Sequence, residues 1–228
     1  MKLSISMTRQ ETLLGWGYLL LSMFVLPFVL VITNSQLAKP LSETVINLIY
    51  FAVNFLAIAV IFRRFLWACI KAALAAPGRC LRFAVFGLAL YFIATFLVAM
   101  AITLVNPDFS NVNDSSIADL AREHYPLMVF ATVFLVPVTE ETLYRGLLFQ
   151  GLHRKNRALA YFLSVSIFAG IHIMGYIGMS DFLTLVLCFV QYLPAGIFLA
   201  WAYEKSDTIV TPMLMHIIIN LIGMIALR

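Results

Sequence analysis

Apolar runs about as long as a bilayer is thick, broken by short polar connections, dominate this chain. Seven are legible: Leu13–Thr33, Val45–Phe62, Phe83–Val105, Pro126–Leu152, Ala158–Gly178, Phe182–Tyr203 and Thr208–Leu227. Each has the ~18 or more residues a crossing helix needs. The pattern predicts an all-α polytopic membrane bundle of about seven transmembrane helices, with residues 1–228 forming one integral membrane domain. Three spans lie in 1–105, and the C-terminal four, ending the chain over 126–228, are expected to enclose a polar cavity opening toward the cytoplasm. The first run reads as a retained anchor, because Glu11 precedes it, it has spanning length, and no small-residue cleavage site closes it. No internal repeat, phosphate-binding glycine loop or second domain interrupts the pattern.

Composition supports lipid as the solvent. Of 228 residues, 63% are hydrophobic and only 11% charged, which excludes an ordinary soluble domain. A net charge of +4 would admit a nucleic-acid partner in a soluble protein, but the placement of the charges argues for topology instead. With the Arg63–Arg82 connection in the cytoplasm, strict alternation puts eleven of the fifteen basic residues inside, Lys2 among them, and leaves Lys39, Arg122 and Arg228 outside. The N-terminus is therefore expected inside and the C-terminus outside. Asn106–His124 is the longest outside segment, expected as a loop with a short helix near Ser116–Asp119. Phe65–Ala76 fits either a helix lying along the membrane surface or a plain basic connector. Cys69, Cys80 and Cys188 show neither metal-ligand spacing nor a disulfide framework.

Ionisable groups inside a span cost a few kcal/mol each, so they need partners and usually a task. Here they concentrate in three spans. The fourth carries Glu140, Glu141 and Arg145, the fifth His172, and the seventh His216 with Asn220. Helical spacing pairs Glu141 with Arg145 along one face and sets Glu140 beside Tyr144 on another. Glu140 is then the carboxylate left to exchange protons, the profile of a general base. At 1.5 Å per residue, Glu140 and His172 lie at similar depths, roughly 19 and 21 Å from the inner ends of their spans, and His216 lies nearer the cytoplasm. His216 and Asn220, four apart, can both donate to one developing oxyanion. Pro137 and Pro194 are expected to kink their helices or to be ordinary membrane-helix prolines.

These residues resemble the CPBP family of intramembrane proteases, which includes type II CAAX prenyl endopeptidases and abortive-infection-type bacterial membrane proteins. Its three motifs appear in order as Glu140-Glu141-x-x-Tyr144-Arg145, Phe168-x-x-x-His172 and His216-x-x-x-Asn220. The resemblance covers Leu127–Leu227, and the first three spans match only as hydrophobic segments. It implies peptide-bond hydrolysis in which Glu140 and His172 activate a water, and His216 and Asn220 hold the oxyanion. Glu141, Arg145, Tyr144 and Phe168 would support them. Family members have also been described as metalloproteases, so a metalloendopeptidase-like version with Zn2+ held by Glu140, His172 and His216 stays open beside the metal-free one. The metal-free version is favoured, because no His-Glu-x-x-His motif is present and Glu141 is committed to Arg145. Expected partners are membrane lipid and a membrane-associated peptide or protein substrate, in a bacterial inner membrane. Competing readings are a non-catalytic scaffold or bacteriocin-immunity protein of the same fold and a proton-coupled transporter, the latter disfavoured by the lack of an inverted repeat.

Overall fold

A computed structural model describes residues 3–227. Lys2 and Arg228, which enter the charge balance, lie outside the described residues. Among these residues, six helices are long and apolar enough to cross a membrane: α1 (Arg9–Ser35), α2 (Glu43–Ile61), α4 (Pro77–Val105), α5 (Val112–His153), α6 (Arg157–Met174) and α7 (Phe182–Ser206). A shorter amphipathic helix, α3 (Arg63–Ala75), joins α2 to α4. The expected seventh span is an apolar helix, α8 (Val210–Ala226), of 17 residues. The fold is that of a polytopic helical membrane protein.

α5 is the axis of the bundle. Half of its most apolar window is buried, against 6% for α4, whose Phe86, Phe96, Leu97 and Leu104 face outward. α6 and α7 pack closely on one another, α4 lies against α7 and α8, and α2 lies along α5. The approach of α6 to α7 depends on Gly196. A Cβ there would stand 2.9 Å from Val165 Cγ1 and 3.3 Å from the Val165 Cα, and a backbone atom cannot swing aside. Gly196→Ala is expected to destabilise by about 1–3 kcal/mol through overpacking. A lowered melting temperature in detergent checks this; an unchanged one refutes the tight contact.

Several local signals differ from the sequence reading. The outer segment expected as a loop is helical from Val112, because the Asn111 side chain accepts from the backbone N–H of Asn113 and Asp114 and caps the helix. The helix then kinks at His124 (φ −140°, ψ 61°), two residues before Pro126, whose ring and missing N–H disturb the turn before it. α3 settles the choice for Phe65–Ala76 in favour of a helix: Phe65, Cys69 and Ala73 are buried, while Trp67, Ile70 and Leu74 are exposed beside Lys71, a pattern suited to an interface. Burial pushes the Cys69 thiol up to about 11, and all three cysteines are free and buried, so none is a ready nucleophile.

The end bearing the basic connections is tied together by hydrogen bonds. The Ser4 amide donates to Asp207 Oδ1 at 2.8 Å and its hydroxyl to the other carboxylate oxygen, while the Gln150 amide donates to the Ile5 carbonyl. Buried Glu11 accepts from the Thr8 amide at 2.8 Å and from the Phe65 amide at 2.9 Å, tying the start of α1 to the start of α3. Cavities of about 870 and 420 Å3 open at the opposite end instead, around Ser110, Ser115, Asp119 and Arg122. α2 joins the C-terminal helices in lining the larger of these two cavities through Glu43 and Thr44.

Candidate active site

The motif run of α5 is not regular α-helix. Ala131–Leu135 and Glu141–Phe149 are π-helical, with i to i+5 hydrogen bonds, on either side of Val136–Glu140. Such widened turns are costly and gather at functional sites. The first has a visible consequence. The Val136 amide reaches Ala131 O in π register, so the next donor would be residue 137, a proline with no N–H. Thr132 O is left over, and Asn220 Nδ2 fills it at 2.8 Å.

The second π segment buries its whole length, from Glu141 to Phe149. Arg145 Nη1 donates to Glu141 Oε1 at 3.0 Å, and the two side chains are 1% and 0% exposed. The pairing read from the i, i+4 spacing is therefore present. His216 Nδ1 meets the same Glu141 oxygen at 2.8 Å. A carboxylate beside a guanidinium accepts, so Nδ1 carries the hydrogen and donates. The other nitrogen, Nε2, faces Glu140 Oε2 at 3.9 Å. Arg145 also reaches Gly196 O at 3.4 Å and stacks its guanidinium over the Phe168 ring at 4.2 Å.

Phe168, 2% exposed, is the hub around which the other aromatics collect. Its ring centroid is 4.8 Å from that of His172, 6.1 Å from that of His216 and 5.9 Å from that of Tyr144. His172 Nδ1 donates to Phe168 O at 2.7 Å, since a carbonyl can only accept, and Nε2 is left outside that bond. The structure thus brings Tyr144, His172, His216 and Arg145 onto the Phe168 ring, with Glu141 bonded to Arg145 and His216 and Glu140 3.9 Å from His216. Among the described residues no hydrogen bond joins His172 to Glu140.

One placement adds to the sequence reading and one changes it. His216 Nε2 meets Glu140 Oε2 at 3.9 Å, and the α7–α8 connection ahead of it is buried in the protein, with Thr208, Ile209 and Thr211 at most 1% exposed. Asn220 does not share a partner with His216; one of its two amide hydrogens is committed to Thr132 O. Glu140 Oε2, Glu141 Oε2 and Arg145 Nε are buried with no protein partner, an unusual concentration of unspent polar atoms. Among the described residues no three His, Cys, Asp or Glu side chains form a group fit to hold a metal ion. The Glu140, His172 and His216 set that Zn2+ would need is not assembled, and no step below is routed through a metal.

Other polar groups escaped the sequence reading. Tyr50 of α2 lies within electrostatic reach of Glu140, as does the Tyr144 already read beside it, so α2 also contributes to the surroundings of the site. Tyr192 stacks on His172. Glu204, 3% exposed, binds Arg157 through Nε at 2.6 Å and Nη2 at 2.9 Å, His153 at 2.9 Å and the Tyr161 hydroxyl at 2.9 Å, fastening α5, α6 and α7 at their basic end. The sequence put Glu204 just beyond its span, where a charge draws no notice.

A membrane-embedded helical bundle with a buried cluster of carboxylates, guanidinium and imidazole defines the class. Residues 122–222 match the family model of Rce1-like type II CAAX prenyl endopeptidases. This stretch runs from just before the α5 kink into α8 and contains every motif residue above, so the resemblance read from the sequence holds over it, under half of the chain. The chain is an integral membrane protein, and this segment is similar to a protease family. No curated protein and no solved structure matches it.

Proposed function

We propose that this protein is an intramembrane endopeptidase, in which Glu140 activates the water that hydrolyses peptide bonds of membrane-associated substrates. The observation that carries the reading is Oε2 of Glu140, buried without a hydrogen-bond partner and 3.9 Å from His216 Nε2, inside the segment that matches the endopeptidase family. An unspent base beside a hydrogen-bond donor is what water attack on a carbonyl needs.

The residues divide the work as follows. Glu140, with His172 Nε2 as the second acceptor, orients a water and takes its proton as the oxygen attacks the scissile carbonyl carbon. The oxyanion is held by His216 Nε2–H and by the second amide hydrogen of Asn220. The proton on Glu140 passes to the amide nitrogen as the C–N bond breaks. Because Nδ1–H of His216 is given to Glu141, Nε2 can donate only from the imidazolium. Two carboxylates, one guanidinium and one imidazolium make a neutral cluster, the least costly state for buried charges.

In the cell, the reading places the protein in a bacterial inner membrane with its N-terminus cytoplasmic. Substrate cleavage is tested by incubating the protein in lipid nanodiscs with a membrane-peptide library. We expect defined cleavage products from the wild type, with rates unchanged within about twofold by a zinc chelator, since losing an essential metal would cost far more. Loss of cleavage on chelation would overturn the metal-free mechanism, and a wild type without products would favour a non-catalytic scaffold.

A further inference from the structure

His172 is held from three directions. Its Nδ1 donates to Phe168 O at 2.7 Å, its ring packs against Phe168 at 4.8 Å, and on another side Tyr192 of α7 stacks on it with centroids 4.2 Å apart and planes 27° from parallel. Tyr192 is itself fixed. Its hydroxyl donates to Asp114 Oδ1 at 2.9 Å and accepts from Asn113 Nδ2 at 2.9 Å, both in the first turn of α5. Next to it, Gln191 accepts from Asn111 Nδ2 at 2.9 Å. The smaller cavity is lined by Asn111, Asp114 and Gln191, so this latch stands at its wall. A phenol bonded on both sides cannot rotate without breaking a hydrogen bond, and a ring stacked on it shares that restraint.

We infer that Tyr192 is a positioning residue for His172: pinned by Asp114 and Asn113, it fixes the plane of the imidazole so that the Nε2 lone pair is presented in one direction. In hydrolysis, which rests on the function proposed above, that direction is the attacking water. The backbone carbonyl selects the tautomer, and the Tyr192 stack keeps the ring where that carbonyl can do so. A stacked phenol and its carboxylate anchor thus play for His172 the part that an outer partner plays for a metal-bound or triad histidine.

The test uses the full chain in nanodiscs, labelled with 15N-histidine. With four histidines in the sequence, His172→Gln assigns the relevant signals. The wild type should show His172 neutral with its proton on Nδ1. Tyr192→Leu should shift its nitrogen signals toward an average of the two tautomers and lower kcat on a cleaved peptide about 10–100-fold, the cost of a misplaced catalytic group, with KM within about twofold. Tyr192→Phe keeps the ring and should lose severalfold less. Asp114→Asn provides the second reading should Tyr192→Leu not fold: intermediate line broadening of His172 is expected. Unchanged His172 nitrogen signals in Tyr192→Leu, or in Asp114→Asn where that variant stands in for it, overturn the inference. So does a wild type lacking the Nδ1-protonated form. The nitrogen signals decide the role of Tyr192 even if Glu140→Gln cleaves as fast as wild type, a result that would sink the peptidase reading alone.

Discussion

Glu140→Gln should abolish peptide cleavage while leaving the bundle intact. A positioned general base contributes about 10²–10⁴ in rate, and no second carboxylate stands in reserve, because Glu141 is spent on Arg145 and His216. The amide has nearly the shape of the carboxylate and replaces an oxygen that has no hydrogen-bond partner in the protein, so the melting temperature should move by only about 2 °C. His216 keeps its bond to Glu141 in the variant. Turnover within about tenfold of wild type would remove Glu140 as the base.

The largest effect on stability is expected from Arg145→Met. The guanidinium is 1% exposed and is paired at 3.0 Å with a fully buried carboxylate. Removing one partner of such a pair costs about 3–5 kcal/mol, because the other charge is stranded. The stacked contact with Phe168 is lost as well. Adding Glu141→Gln should recover part of the loss, since the stranded charge is then gone, although His216 loses its carboxylate. Chemical or thermal unfolding of both variants in the same detergent measures this, and a double variant no more stable than Arg145→Met would show that the charge is not the cause.

How much of this was legible before any coordinates? Apolar run length finds every long helix, because lipid imposes one length on all of them. The Glu141–Arg145 pair was legible because i, i+4 neighbours meet on any helix, and it survives even in π geometry. What the sequence hides depends on tertiary placement. Asn111 turns an expected loop into helix through a cap that hydropathy does not register. The contact of His216 with Glu140 joins α8 to α5, a pairing that counting residues from span ends does not give. Spacing and the motif resemblance both point to Asn220 as an oxyanion donor; its bond to Thr132 O follows from a widened turn before a proline, which no periodicity announces. Asp114 and Tyr192 are 78 residues apart and meet only in three dimensions.

The i to i+5 turn at Ala131–Leu135 holds one residue more than an α-helical turn and spends it on a carbonyl, Thr132 O, that receives Asn220 of α8. Deleting a single position there would let the backbone close to the cheaper i to i+4 register with the flanking turns near their present phase. The carboxylate pair would still face the imidazole of α8, but the carbonyl that receives Asn220 would be drawn back into its own helix. The extra residue is a docking point between two helices, encoded in chain length rather than in the identity of the motif residues.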